Sequence, residues 1–238
     1  MSLPPPEPRS LYTDWLVHFR ASKGYDLTAR VLGGGWFLLL ALCVSLKALR
    51  YEGVLNLATS GSAGSSRLLS AVFLVLFYLV LCWSVFSRPP PLARTNTLLP
   101  PIVAFAATYG PWTVVLFTPS DDLAVRNFAS ATLILIGSLL MVVVVVHLGQ
   151  AFSIVPQARI LVRTGPYSLV RNPLYIAEEV ALLGTLLQYY SAVTLALFIL
   201  HGGLQIGRII YEERLLRRTF PEYEEYANST SRLIPFVW

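Results

Sequence analysis

Runs of apolar residues that are too long and too free of charge for a water-soluble core constrain this chain more than any other feature. Phe128 to Leu148 spans twenty-one residues without an acidic or basic charge and ends beside one histidine, His147. Leu68 to Phe86 holds nineteen uncharged residues, and Leu98 to Phe117 holds twenty, bent by Pro100, Pro101, Gly110 and Pro111. Val31 to Leu49 is similar, with Lys47 close enough to its end to reach the interface. A hydrocarbon layer about 30 Å thick requires about 20 apolar residues in a helix. A surface helix of a soluble protein would keep a polar face over that length, and these runs have none. Composition agrees: 55% of the 238 residues are hydrophobic and 13% charged, against about 25% charged in soluble domains. Four transmembrane helices over residues 31–148 are expected.

A fifth apolar stretch, Leu174 to Gly207, covers 34 residues and is interrupted at Gln188-Tyr189-Tyr190-Ser191. That length suits a helical hairpin turning at the interruption; one tilted span is the competing arrangement. With the N-terminus in the cytoplasm, the hairpin puts fourteen of the eighteen Lys and Arg residues on the cytoplasmic side. Lys47, Arg50, Arg67 and Arg126 are left outside, as the positive-inside rule favours. The expected fold is therefore an all-α integral membrane protein, a multi-span helical bundle of four spans plus a hairpin, with a cytoplasmic C-terminal cofactor-binding segment. It divides into an N-terminal cytoplasmic or interfacial segment (1–30), the spans (31–148) and a C-terminal region (149–238). No cleavable signal peptide is expected before the first run, and residues 11–30 suit a helix lying at the interface. The net charge of +5 follows from this topology and favours contact with anionic membrane lipids. No basic stripe interleaved with aromatics points to nucleic acid. Cys43 and Cys82 fall inside expected spans as packing residues, and no metal-ligand spacing is present.

Two stretches do not read as ordinary connections. His147 to Tyr175 mixes Gly149, Pro156, Gly165, Pro166 and Pro173 with arginines and aromatics. Non-helical backbone of this kind at the mouth of a bundle must be covered by protein or line a polar cavity. Gly207 to Phe236 carries Arg208 and Glu212 four apart, on one helical face, followed by Glu213. Taken alone, the second stretch also fits a solvated amphipathic tail. The pieces in order are LVRTGPY at 161–167, RNPLY at 171–175, Arg208 with Glu212-Glu213, FPEYEEY at 220–226 and LIPF at 233–236.

Together these pieces resemble the isoprenylcysteine carboxyl methyltransferase family and its wider relatives, the phospholipid N-methyltransferases, over about 90 residues. The resemblance implies S-adenosylmethionine as methyl donor and a lipophilic acceptor entering from the bilayer, first of all a prenylcysteine carboxylate. It implies that Leu161, Val162, Tyr167 and the stretch Asn172, Pro173, Leu174 and Tyr175 line the cofactor, with Gln157, Arg159 and Ile160 contributing. By the same resemblance Glu212 contacts the cofactor from the C-terminal side, and Arg208 is the catalytic residue that orients the acceptor. A guanidinium suits a carboxylate acceptor because it binds two oxygens at once. The family's histidine is Asn172 here, which forms hydrogen bonds but carries no proton or charge. Pro221 stands where a glycine is usual.

Other readings are a phospholipid amine or small thiol acceptor, or an NADPH-dependent membrane reductase using Arg214, Arg217 and Arg218. A non-catalytic membrane scaffold is the reading from a different class. Glu178 and Glu179 either serve a function inside the membrane or stay in the headgroup layer. His147 reads as an interfacial hydrogen-bonding residue, and Gly33-Gly34-Gly35 as a site of close helix packing.

Overall fold

A computed structural model describes residues 23–52, 61–95, 97–110 and 124–235. The apolar runs form helices, because a helix is the way one segment satisfies its own backbone N–H and C=O groups in lipid. These are α1 (Lys23–Glu52), α2 (Gly61–Ser87), α3 (Leu99–Tyr109), α4 (Ala124–Leu148), α5 (Pro173–Gln188), α6 (Ala192–Thr219) and the short α7 (Tyr223–Ser229). Among the described residues three stretches are long and apolar enough to cross a membrane: Gly24–Leu46, Phe128–Ala151 and Ala192–Thr219. The shorter apolar stretches Ala71–Ser87 and Leu99–Tyr109 stand beside them.

The bundle core lies between α1, α2, α4 and α5. Phe37, Phe77, Tyr78, Leu81, Val85, Val145 and Leu174 are buried there. The outward faces are equally apolar: Leu76, Leu79 and Trp83 on α2, Leu140, Val143 and Val146 on α4, and Val193, Ile199 and Leu200 on α6 are exposed. Apolar surface of that extent suits lipid rather than water. Helices α4 and α5 meet backbone to backbone. A Cβ on Gly137 would lie 2.5 Å from the Ala181 nitrogen, and one on Gly184 would lie 2.8 Å from the Ser130 carbonyl oxygen. Of the three expected packing glycines, Gly34 makes the tight contact: its Cβ would fall 2.3 Å from the Phe86 ring.

The interruption of the fifth run falls where the sequence places it. Helix α5 ends at Gln188, and Ser191 caps α6 by accepting a hydrogen bond from the Thr194 N–H at 3.1 Å. Past the turn, α6 differs from a simple return arm. It runs unbroken through Gly202, Gly203 and Gly207 to Thr219, so the membrane segment and the Arg208–Glu213 segment are one helix. Helix α5 packs mainly on α4, and α6 packs mainly on α3.

Residues 23–30, expected at the interface, form the first turns of α1. Arg30 pairs with Asp26 at 2.7 Å and donates to the Phe86 carbonyl oxygen at 2.8 Å. The rest of the expected interfacial segment and the end of the third run, 111–117, lie outside the described residues. Cys82 packs in the core, whereas Cys43 is exposed on the outer face of α1.

Candidate functional site

At the end of the bundle where α4 stops, the chain turns twice through glycines that only glycine conformation suits. Gly149 has φ +52° and opens a 3₁₀ turn to Ala151. Gly165 has φ +61° and starts a second 3₁₀ turn, Gly165–Ser168. Gly165 also lies against His147, whose Cδ2 would be 2.4 Å from an added Cβ. His147 itself is hydrogen-bonded through Nδ1 to the Val143 carbonyl oxygen at 2.8 Å, as an interfacial residue. Between the turns, strand β2 (Gln157–Ala158) pairs antiparallel with β1 (Ala93–Arg94), which ties this loop to the one after α2. Beyond the second turn, Pro173 occupies the first position of α5, where its missing N–H costs no helix bond.

These turns fold the loop over the lower part of α6 and leave a cleft. Gln157, Ile160, Leu161, Val162, Tyr167, Asn172, Leu174, Tyr175, Arg208 and Glu212 all line it, although 51 residues of sequence separate Gln157 from Arg208. Its enclosed part measures about 100 Å³. Ligand pockets usually hold about 300–1,000 Å³, so a nucleoside-sized ligand must also use the open mouth or push side chains apart.

Two of the expected residues stand elsewhere. Arg159 is buried with its guanidinium donating to the Pro89 carbonyl oxygen and, at 2.6 Å, to Gln157 Oε1. It fastens the β1–β2 junction instead of lining the cleft. Burial, and then the neighbouring Arg88, push its pKa down to about 9. Pro173 is buried in the first turn of α5.

Within the cleft Arg208 is 3% exposed. Its Nε donates to Glu212 Oε1 at 3.1 Å, its Nη1 donates to Thr108 Oγ1 at 3.3 Å, and its guanidinium carbon sits 5.0 Å from the centre of the Tyr175 ring. The adjacent Glu213 faces away and does different work. It accepts from Arg171 Nε at 3.1 Å, Asn172 Nδ2 at 3.0 Å and Arg232 Nε at 3.0 Å. The tail is drawn in beside it: the Arg171 N–H donates to the Ser231 carbonyl oxygen at 2.8 Å, and the Asn172 N–H to that of Arg232 at 3.2 Å. Asn172 thus holds structure through the amide that replaces the family's histidine.

Phe152, Leu215, Leu216, Tyr223 and Tyr226 also line the cleft, and no role was read for them from sequence. The two tyrosines had a signal, since residues three apart share a helical face. Tyr226 donates its hydroxyl to the Tyr167 carbonyl oxygen at 2.6 Å. Burial is the main cause that raises the Tyr167 phenol and pushes Tyr226 up to about 12.

Arg208 borders a second cavity of about 200 Å³ on its other side, deeper in the bundle. Tyr78, Thr108, Tyr109, Ser138, Glu178, Thr185 and His201 contribute polar groups to a wall that is otherwise apolar. The two acids of α5 are inside the bundle: Gln205 Nε2 donates to Glu178 Oε2 at 2.6 Å, and Glu179 Oε1 lies 2.9 Å from His201 Nδ1. Among the described residues no cluster of His, Cys, Asp or Glu has the geometry to hold a metal ion.

Comparison with known proteins follows this geometry. Residues 125–223, from the start of α4 to the start of α7, match the model of the family described as phospholipid methyltransferase. A nickel-cobalt-cadmium resistance protein of Alcaligenes xylosoxydans xylosoxydans is 38% identical over 76 residues, which make up 32% of this chain and 36% of that protein. A cobalt-zinc-cadmium resistance protein of Cupriavidus metallidurans is 38% identical over 76 residues, 32% of this chain and 35% of that protein. The chain thus spans about a third of the length of these curated relatives. The loop that forms the cleft and the part of α6 that faces it lie within the matched segment, so residues 125–223 are similar to the phospholipid methyltransferase family, part of the group of membrane methyltransferases that includes the isoprenylcysteine enzymes.

Proposed function

We propose that this protein is an S-adenosylmethionine-dependent methyltransferase acting on a lipophilic acceptor that enters from the bilayer. The observation that carries the reading is the convergence on one cleft of Gln157, Ile160, Leu161, Val162, Tyr167, Asn172, Leu174 and Tyr175 with Arg208 and Glu212. The donor set fits the cofactor. The Glu212 carboxylate suits an ammonium or ribose hydroxyls, and Tyr167, Tyr223 and Tyr226 offer faces to adenine. When bound, the cofactor supplies an electrophilic methyl group on sulfur. The protein's task is then to hold the acceptor in line with that carbon, an alignment worth about 7–11 kcal/mol of barrier.

In this reading four spans and the hairpin cross the membrane, and the cleft opens on the cytoplasmic face, as the basic residues favour. The acceptor class follows from Arg208. A prenylcysteine carboxylate needs a guanidinium edge to itself, yet Nε of Arg208 is engaged by Glu212 and Nη1 by Thr108. The second cavity adds the carboxylate of Glu178. An amine-bearing phospholipid suits these surroundings better and accords with the matched family; the prenylcysteine carboxylate is the second reading, carried by the place of Arg208 between the two cavities.

Calorimetry of the detergent-purified protein with S-adenosylhomocysteine tests the proposal. Micromolar-range binding, lost in Glu212→Ala, is expected. Absence of binding together with tight binding of NADPH would overturn it. A labelled-methyl assay with phosphatidylethanolamine and with a prenylcysteine separates the acceptors.

A further inference from the structure

We propose that Glu178 takes the proton released by the methyl acceptor, whose reactive group occupies the amphipathic cavity behind Arg208. The inference rests on the methyltransferase reading and assigns a residue within it. An amine that accepts a methyl group must lose a proton, and here it does so where the surrounding helices exclude water. Of the acids near the cleft, Glu212 is held by Arg208 and Glu213 by Arg171, Asn172 and Arg232. Glu178 lines the deeper cavity and accepts a single side-chain hydrogen bond there, through Oε2 from Gln205. It lies within electrostatic range of Arg208, Glu212 and Tyr175, so the cavity wall it forms adjoins the cleft.

A second observation points to a polar occupant. The Ser138 side chain is fully buried on the wall of this cavity, and its Oγ has no hydrogen-bond partner among the described residues. Burying a hydroxyl unpaired costs about 1–3 kcal/mol, a cost that a polar group in the cavity removes. Phe37, Leu74, Phe77 and Leu81 give the cavity an apolar part that suits the rest of an amphiphile. The acceptor nitrogen arrives as an ammonium and gives one N–H proton to a Glu178 oxygen, which becomes a neutral carboxylic acid. The lone pair so freed forms the new N–C bond while the S–C bond breaks and leaves its electrons on sulfur. Arg208 lines both the cleft and the cavity.

Other polar groups lie around Glu178: Tyr78 from α2, Tyr167 from the loop before α5, Tyr175 from its own helix, and Arg208 and Glu212 from α6 are within electrostatic range, and Tyr109 from α3 and His201 from α6 share its cavity. Helices α1 and α4 add apolar side chains and the Ser138 hydroxyl. The test compares wild type, Glu178→Gln and Glu178→Asp in nanodiscs, with phosphatidylethanolamine as acceptor. Glu178→Gln should lower kcat about 100-fold or more, as loss of a general base does. It should leave S-adenosylhomocysteine affinity within about twofold and remove the acid limb of the kcat–pH profile. Glu178→Asp should keep that limb with reduced kcat. Infrared difference spectra across the same pH range should show one carboxylate converting to carboxylic acid in wild type and none in Glu178→Gln.

Turnover of Glu178→Gln within threefold of wild type, with the pH profile unchanged, would overturn the proposal and leave the methyltransferase reading intact. So would methylation of prenylcysteine alone, which needs no base. If neither acceptor is turned over, the infrared comparison decides: a spectrum identical in wild type and Glu178→Gln overturns it. Failure of wild type to bind S-adenosylhomocysteine overturns the underlying reading instead.

Discussion

Replacing Glu213 by alanine should loosen the packing of loop and tail behind the cleft. Its carboxylate is almost wholly buried and holds three donors from two segments, Arg171 and Asn172 from the loop before α5 and Arg232 from the tail. Arg171 loses most. Its side chain is 8% exposed, and without Glu213 it keeps only the Ala227 and Thr230 carbonyl oxygens as acceptors. Removing one partner of a buried ion pair costs about 3–5 kcal/mol, because the other charge is left unpaired. Arg232 is 22% exposed and can turn to water, so it adds little. For a chain of this size, each kcal/mol corresponds to about 2–4 °C in Tm, giving a fall of about 6–20 °C. Tryptophan fluorescence during a thermal ramp in detergent measures this directly, and limited trypsin digestion reports whether the tail has come free at Arg232. Glu213→Gln, which keeps an acceptor for Asn172, should fall between wild type and alanine. A shift below about 2 °C for Glu213→Ala, with the tail still protected, would refute the idea that this carboxylate clamps loop and tail together.

Glu212→Gln should weaken S-adenosylhomocysteine binding by about tenfold or more, the equivalent of roughly 1.4 kcal/mol, as read by calorimetry. Gly165→Ala forces a side chain onto φ +61° and against His147, so a loss of at least about 1–2 kcal/mol is expected from the backbone alone, visible in the same thermal ramp. Tyr226→Phe removes the buried hydrogen bond to the Tyr167 carbonyl oxygen and should cost about 0.5–1.5 kcal/mol. The Tyr226 phenol is raised to about 12, chiefly by burial, so the native state holds this proton more tightly than the unfolded chain. Its contribution is complete below about pH 10, the ordinary tyrosine value, and is lost as pH rises through about 12; a pH series of Tm values for wild type and Tyr226→Phe measures it.

The membrane segments were legible because run length and absence of charge act locally, and helix is the conformation that satisfies the backbone in lipid. Their edges were less so. Residues 23–30 carry charges, yet the Asp26–Arg30 pair and the contact of Arg30 with the Phe86 carbonyl oxygen continue α1 through them. At the cleft, the resemblance led to residues that do meet, since the glycine turns and the Arg208–Glu212 spacing reflect local geometry. Arg159 looked equally suitable, but its partner Pro89 lies 70 residues earlier and no sequence pattern announces that contact. Phe152, Leu215 and Leu216 were invisible for another reason: apolar residues beside apolar runs look the same whether they face lipid, core or ligand. Glu178 and Glu179 were ambiguous until α6 supplied Gln205 and His201 as partners.

Because α6 continues without a break from the hairpin turn to Thr219, it acts as a ruler. His201, Gln205, Arg208 and Glu212 recur at spacings of four, three and four residues along one face. At 1.5 Å of rise per residue, the first and last stand roughly 16 Å apart. The depth of the inner cavity and the position of the cleft are therefore fixed relative to each other by the pitch of a single helix. Side chains along it can be exchanged one at a time to suit a new acceptor. Inserting or deleting one residue between Gln205 and Arg208 is different: it swings everything beyond by about 100°, turning Arg208 and Glu212 off the face that carries Gln205 and His201. The geometry of the site thus depends on one register along α6.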